Sequence, residues 1–211
     1  MAEPRAACLL YLISPPALDA GFSGALAAAL EPGLVRAFQL RLKEADDDAV
    51  LRAAEMLLPV CQAAGVSFIL NDRSDLAVRA GADGVHLGQG DGLVADARAL
   101  LGRDAEIGVT CHASRHLAIE AGEAGADYVA FGSFYPSDTK ASAHRPEPEI
   151  LMWWSTFMVM PCVAIGGITP GNASPLVQAG ADFLAVSAAV WRHVGGAQAG
   201  VRAFASVLER G

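Results

Sequence analysis

The sequence predicts an α/β chain in which eight parallel strands alternate with helices and close into a single (β/α)8 barrel spanning residues 1–211. Three observations carry that prediction. Eight short apolar runs are spread along the chain, and amphipathic stretches lie between them. Most of these runs are apolar almost throughout, which suits strands covered on both faces. The phrase Ala-Gly-Ala-Asp occurs at 80–83, 124–127 and 179–182, each time between an amphipathic stretch and an apolar run.

The first run, ACLLYLIS (7–14), is expected to be a core strand. It is too short for a membrane span of roughly 20 residues, and Glu3 ahead of it argues against an export signal. The next strands are VRAFQLRL (35–42), VSFILN (66–71), GVHLG (84–88) and IGVTC (107–111). YVAFG (128–132), CVAIGG (162–167) and FLAVS (183–187) complete the set. Helices are expected over 22–30, 46–64, 73–80, 93–101, 114–124, 147–158 and 172–179, with a last one over 191–209. In each Ala-Gly-Ala-Asp copy the glycine falls just past a helix, where positive φ is often needed. The repeat therefore reads as one structural joint used three times. Parallel neighbours need crossovers, and eight such units form a compact TIM barrel. An open doubly wound sheet is the alternative, but the turn SPPALDAGFSG lacks a dinucleotide fingerprint.

With 53% hydrophobic and 18% charged residues, the chain can bury a large core. Cys8, Cys61, Cys111 and Cys162 form no CxxC pair and read as free, mostly buried thiols. A net charge of −8 without a basic tract argues against nucleic-acid binding, and no run is long enough to enter a membrane. A cytoplasmic protein is expected. Small anionic ligands need only local positive charge. Lys43 and Lys140 are the only lysines beside thirteen arginines, and both fall just past predicted strands. A compact ammonium suits phosphate oxygens there.

In a barrel, chemistry gathers at the C-terminal ends of the strands. The second strand ends with Gln39, Arg41 and Lys43 on one side of an extended chain, a row able to hold a polyanion. Asn71 and Asp72 follow the third; Asp72 or Ser74 could instead cap the next helix. Gln89 and Asp91 follow the fourth. If the two strands are neighbours, Asp72 and Asp91 share one mouth and suit a hard divalent ion such as Mg2+. Paired carboxylates also serve glycosidases, but the surrounding cations favour phosphate. The fifth strand ends at Thr110, Cys111 and His112. His112 and His116 lack an evident third metal ligand and read as surface or packing residues, with His112 in a loop. Ser137, Thr139 and Lys140 lie on a long loop extending to about Pro148, of the kind that forms lids. The seventh strand ends in the glycine-rich turn AIGGITPGN and the eighth ends at Ser187, a recurrent phosphate position in barrels.

These stretches together resemble the thiamine-phosphate synthase (thiamine-phosphate pyrophosphorylase) family. The carriers are QLRLK, ND, ADGVHLGQGD, GVTCH, ADYVAFGSFYPSDTK, VAIGGI and AGADFLAVSAA, in that order from about residue 39 to 190. The resemblance implies a transferase. It joins 4-amino-2-methyl-5-hydroxymethylpyrimidine diphosphate to a thiazole phosphate and releases pyrophosphate, with the carbon–oxygen bond breaking largely first. It further implies that Asp72 and Asp91 ligate Mg2+. Arg41, Lys43, Asn71, Thr110 and Lys140 would hold the pyrophosphate, with Arg41, Lys43, Thr110 and Lys140 the catalytic set. Gln39 would contact the pyrimidine, and Ser137, Thr139, Gly167, Val186 and Ser187 the thiazole phosphate. This sequence departs from the family pattern at Ser14–Pro16, at Ser137 and Thr110, which keep hydroxyls, and after Lys140. The related thiazole tautomerase typically lacks the aspartate pair and carries histidine where Ser133 stands. A phosphate-metabolite binder without catalysis and a sugar-phosphate epimerase are the remaining alternatives. The expected partners are the small-molecule substrates, with a homodimer as the one protein assembly in view.

Overall fold

The structure, a computed structural model, describes residues 7–136 and 145–209. Its first half runs β1 (Leu9–Ile13), α1 (Phe22–Leu30), β2 (Val35–Leu40), α2 (Asp47–Ala63), β3 (Ser67–Asn71), α3 (Ser74–Ala80), β4 (Gly84–Leu87) and α4 (Val94–Leu101). The second half runs β5 (Glu106–His112), α5 (Arg115–Glu123), β6 (Tyr128–Gly132), α6 (Glu149–Phe157), β7 (Cys162–Ile165), α7 (Ser174–Gln178) and β8 (Phe183–Val186). Three short helices follow: α8 (Ala188–Trp191), α9 (Gly196–Arg202) and α10 (Ala205–Leu208). The strands pair in sequence order, and β8 returns to β1 to close the barrel. Both sheet faces are buried. Phe38, Phe68, Phe131 and Trp154 pack the shell beneath the helices, while Tyr11, Ile69, Tyr128 and Val163 fill the lumen.

The last helix differs from expectation. In place of one helix over 191–209, the chain forms α8, α9 and α10. Gly196, the first residue of α9, takes φ of 83°. Gly200 lies so close to Val190 that an added Cβ would stand 2.8 Å from the Val190 Cα. Folding back onto Val190 buries this segment, and a straight helix would carry it past the barrel.

The repeated Ala-Gly-Ala-Asp phrase is a fastening at the N-terminal face. Gly81, Gly125 and Gly180 take φ of 67°, 93° and 100°. The next residue's N–H reaches back five residues in each copy, closing α3, α5 and α7 in a Schellman-type turn (Ala82 to Ala77, Ala126 to Ala121, Ala181 to Leu176). Each aspartate then grips the preceding strand twice. Its N–H donates to the carbonyl of Phe68, Ile107 or Cys162 at 2.9, 2.7 and 3.0 Å. Its carboxylate accepts the N–H of that same residue at 2.7, 2.7 and 2.9 Å. Asp83, Asp127 and Asp182 thus tie β3, β5 and β7 to the strands that follow them.

Candidate active site

At the opposite face the lumen opens into a cavity of about 340 Å³. Gln39, Arg41, Lys43, Asn71, Asp72, Asp91, Thr110, Gly167, Val186 and Ser187 all line it. Every predicted site residue among the described ones therefore meets at one mouth. Ser137, Thr139 and Lys140, with the expected lid, fall outside the described residues.

Of the row Gln39, Arg41, Lys43 only Gln39 lies in β2, which ends at Leu40 rather than Leu42; Arg41 and Lys43 follow in the turn beyond it, and all three still face the mouth. Ser14 secures its upper end, its Oγ accepting the Arg41 N–H at 2.9 Å. Asp72 does not cap α3, where no side chain does so. It takes φ of 65°, a conformation aspartate tolerates better than most residues, and turns its carboxylate into the mouth. There Lys43 Nζ stands 2.9 Å from Asp72 Oδ2. Asp91 arrives from the loop after β4, with Oδ2 accepting the Gly88 N–H at 3.0 Å. Gly88 leaves the room this needs, since an added Cβ would meet that oxygen at 2.5 Å. Partial burial first, and the Asp72 carboxylate beside it second, push the Asp91 carboxyl above the usual carboxylate range.

A carboxylate pair opposed by one ammonium carries surplus negative charge. Its all-oxygen donor set fits a hard divalent cation. Among the described residues no third acidic, histidine or cysteine side chain joins it, so water and ligand oxygens would complete the coordination.

Across the mouth, Gly166 and Gly167 turn the chain after β7 with φ of 106° and 61°. An added Cβ on Gly166 would stand 1.9 Å from Ser133 Oγ, and one on Gly167 2.2 Å from the Pro136 carbonyl oxygen. Only glycines let these two loops close on each other. Asn172 braces the turn, accepting the Thr169 N–H at 2.8 Å and donating to the Gly167 carbonyl at 3.0 Å. Ser187 Oγ and the Trp191 indole donate to the Ser14 and Ile13 carbonyls at 3.3 and 2.6 Å, joining the last loop to the first.

Sequence reasoning missed a polar layer beneath the mouth. Gln39 Nε2 donates to the Tyr11 hydroxyl at 2.9 Å, and the Tyr11 and Tyr128 hydroxyls lie 2.9 Å apart. His86 Nδ1 is 3.1 Å from the Tyr128 hydroxyl, and its Nε2 is 2.8 Å from Thr110 Oγ1. The signal was present: Tyr11, His86 and Tyr128 interrupt apolar strands at inward-facing positions. His112 also needs correction. It ends β5 rather than lying in a loop, takes φ of 53° and lines the cavity. His116 is on the surface as expected, 3.3 Å from Glu120. All four cysteines are buried thiols that form no disulfide. Burial pushes the Cys61 and Cys111 thiols up to about 12, which leaves neither as a nucleophile.

An eight-stranded barrel with its polar groups gathered at the C-terminal mouth defines a TIM-barrel enzyme. A family model described as thiamine monophosphate synthase matches residues 10–190, and the chain belongs to that family. It is 59% identical to a thiamine-phosphate synthase of Rhodospirillum centenum, over 95% of this chain and 98% of the relative. It is 57% identical to one of Erythrobacter litoralis, over 99% of each. Among solved structures, thiamine phosphate pyrophosphorylase from Pyrococcus furiosus superposes with a TM-score of 0.84 at 30% identity, covering 95% of both chains. A 3-hexulose-6-phosphate synthase shares the barrel alone, with a TM-score of 0.66 at 16% identity, over 95% of this chain and 100% of the other.

Proposed function

We propose that this chain condenses 4-amino-2-methyl-5-hydroxymethylpyrimidine diphosphate with a thiazole phosphate, giving thiamine phosphate and pyrophosphate. The observation that carries the reading is the meeting of Asp72 and Asp91 beside Lys43 in the mouth that Arg41 also lines. Family membership and the full-length relatives support it. Residues 1–211 act as a single barrel domain in this reading. No described helix is long and apolar enough to cross a membrane, and a cytoplasmic site of action follows from the biosynthetic role.

Asp72 and Asp91 would hold Mg2+, which supplies positive charge to the departing diphosphate. Arg41, Lys43, Asn71, Thr110 and Lys140 bind the same oxygens and fix the leaving group in place. Gln39 holds the pyrimidine above the tyrosine layer. Ser137, Thr139, Gly167, Val186 and Ser187 hold the thiazole phosphate across the mouth, the glycine turn offering backbone N–H groups. The carbon–oxygen bond breaks and its electron pair leaves on the diphosphate. The thiazole nitrogen lone pair then forms the new carbon–nitrogen bond. That nitrogen carries no proton, so no general base is needed. The apolar walls, including Ile13, Val163, Ile165 and Ile168, exclude water from the reactive methylene.

Pyrophosphate release is the test. Release that requires both substrates and Mg2+, and that falls severely in Asp91→Ala and Lys140→Ala, is the expected result. Metal-independent isomerisation of a thiazole carboxylate phosphate would instead make the chain a tautomerase. Binding without turnover would make it a phosphate-metabolite binder.

A further inference from the structure

The lumen layer under the mouth joins Gln39 to Thr110 through three other side chains in one unbroken line. Gln39 is 2% exposed and lines the cavity, and no described residue donates a hydrogen bond to its Oε1. Thr110, half-buried, lines the cavity at the other end. Burial pushes the Tyr11 and Tyr128 hydroxyls well above the usual tyrosine range, so both keep their protons. Each phenol in such a line accepts one hydrogen bond and donates one, so its sense at one end fixes its sense at the other.

With His86 neutral, two senses are self-consistent. In the first, the Gln39 amide donates to Tyr11, Tyr11 to Tyr128 and Tyr128 to His86 Nδ1. His86 then carries its proton on Nε2 and donates to Thr110 Oγ1. Thr110 keeps its own proton for the cavity, and Gln39 turns its carbonyl oxygen there. In the reverse sense Thr110 spends its proton on His86 and shows the cavity only lone pairs. Gln39 then shows it an amide N–H2. The first sense agrees with the Gln39 contact, where Nε2 faces Tyr11 at 2.9 Å. It also gives Thr110 a proton for the anion that Arg41 and Lys43 are placed to hold.

We infer that Tyr11, Tyr128 and His86 are positioning residues that lock Gln39 as an acceptor for the substrate's ring amine and Thr110 as a donor to its diphosphate. This rests on the function proposed above. The relay makes the mouth selective. An aminopyrimidine satisfies the Gln39 oxygen, whereas a 4-oxo analogue would set oxygen against oxygen and leave a buried acceptor unpaired. Reversing Gln39 to accommodate the oxo group would require every link to reverse with it.

Two measurements test this. Long-range 1H–15N correlation spectra of the ligand-free protein, with the His86 signal assigned by its loss in His86→Gln, should show the Nε2–H tautomer. The Nδ1–H tautomer would overturn the relay's sense. In kinetics, Tyr128→Phe and His86→Leu should raise KM for the pyrimidine diphosphate about tenfold, the loss expected for one buried hydrogen bond. Selectivity against the 4-oxo analogue should fall by a similar factor. His86→Gln, which keeps a donor towards Thr110, should recover part of the KM loss that His86→Leu shows. Thermal unfolding separates these effects from a loss of fold. A Tyr128→Phe enzyme that folds and retains wild-type KM and selectivity would refute the positioning role. If the wild-type protein releases no pyrophosphate, the proposed function fails, while the tautomer still decides the relay.

Discussion

Asp91 is the residue at which stability and chemistry oppose each other. Its carboxyl is held above the usual range, so ionising it weakens the metal-free fold at neutral pH. Below an ordinary aspartate pKa of about 4, the folded and unfolded chains are both protonated there and the cost vanishes. Asp91→Asn should therefore raise the metal-free Tm near pH 7, and the gap over wild type should close as pH falls below that range. Mg2+ should raise the wild-type Tm by binding the folded state and leave the variant's nearly unchanged. Differential scanning fluorimetry against pH and Mg2+ reads both effects. A variant no more stable than wild type at neutral pH would show that Lys43 and the Gly88 N–H already compensate the charge. The convergence of Asp72 and Asp91 was legible in the sequence because each followed one of two consecutive strands. The turn that aims Asp72 was not, since nothing in Asn-Asp-Arg announces φ of 65°.

At the scale of elements, the fastenings formed by the repeated phrase set the ends of alternate strands. In Asp83→Ala the Phe68 N–H loses its carboxylate and stays buried. The expected cost is about 1–3 kcal/mol in urea unfolding, with KM for both substrates unchanged because the mouth lies at the far end of the strand. A loss of activity without a loss of stability would mean that β3 shifts along its length. Sequence periodicity located all eight strands, because each is a short apolar run between breakers. It failed over 191–209, where the hydrophobic pattern continues but Gly195 and Gly196 let the chain fold back on Val190. The role of the aspartates was half legible. Recurrence marked the joint, but the double grip depends on neighbouring strands that only the closed barrel brings together.

The whole molecule is a tube sealed at one end and open at the other. Arg36, Ser67 and Glu106 close the base, with Arg36 donating to Ser67 Oγ at 3.1 Å and Ser67 to Glu106 at 2.8 Å. The layer of Tyr11, Tyr128 and His86 fills the middle and forms the floor of the cavity, which all three line. Gly108 makes that middle layer possible, since an added Cβ would stand 2.0 Å from the Tyr128 ring. Gly108→Ala should thus overpack the lumen and cost about 1–3 kcal/mol in urea unfolding. It should also weaken pyrimidine binding, because Tyr128 must move. Wild-type stability in that variant would mean that the ring can shift without penalty. Packing across the lumen is what the sequence concealed: Gly108 and Tyr128 are distant in the chain and adjacent only on paired strands.

The three aspartate latches have a practical corollary. They sit about a strand's length, roughly 15 Å, below the rim where substrates enter. Loops at the rim can be recut, lengthened or exchanged without loosening the staves, because what keeps those staves aligned is anchored at the floor. A protein engineer seeking a barrel that accepts a different heterocycle should leave the floor untouched and randomise only the crown.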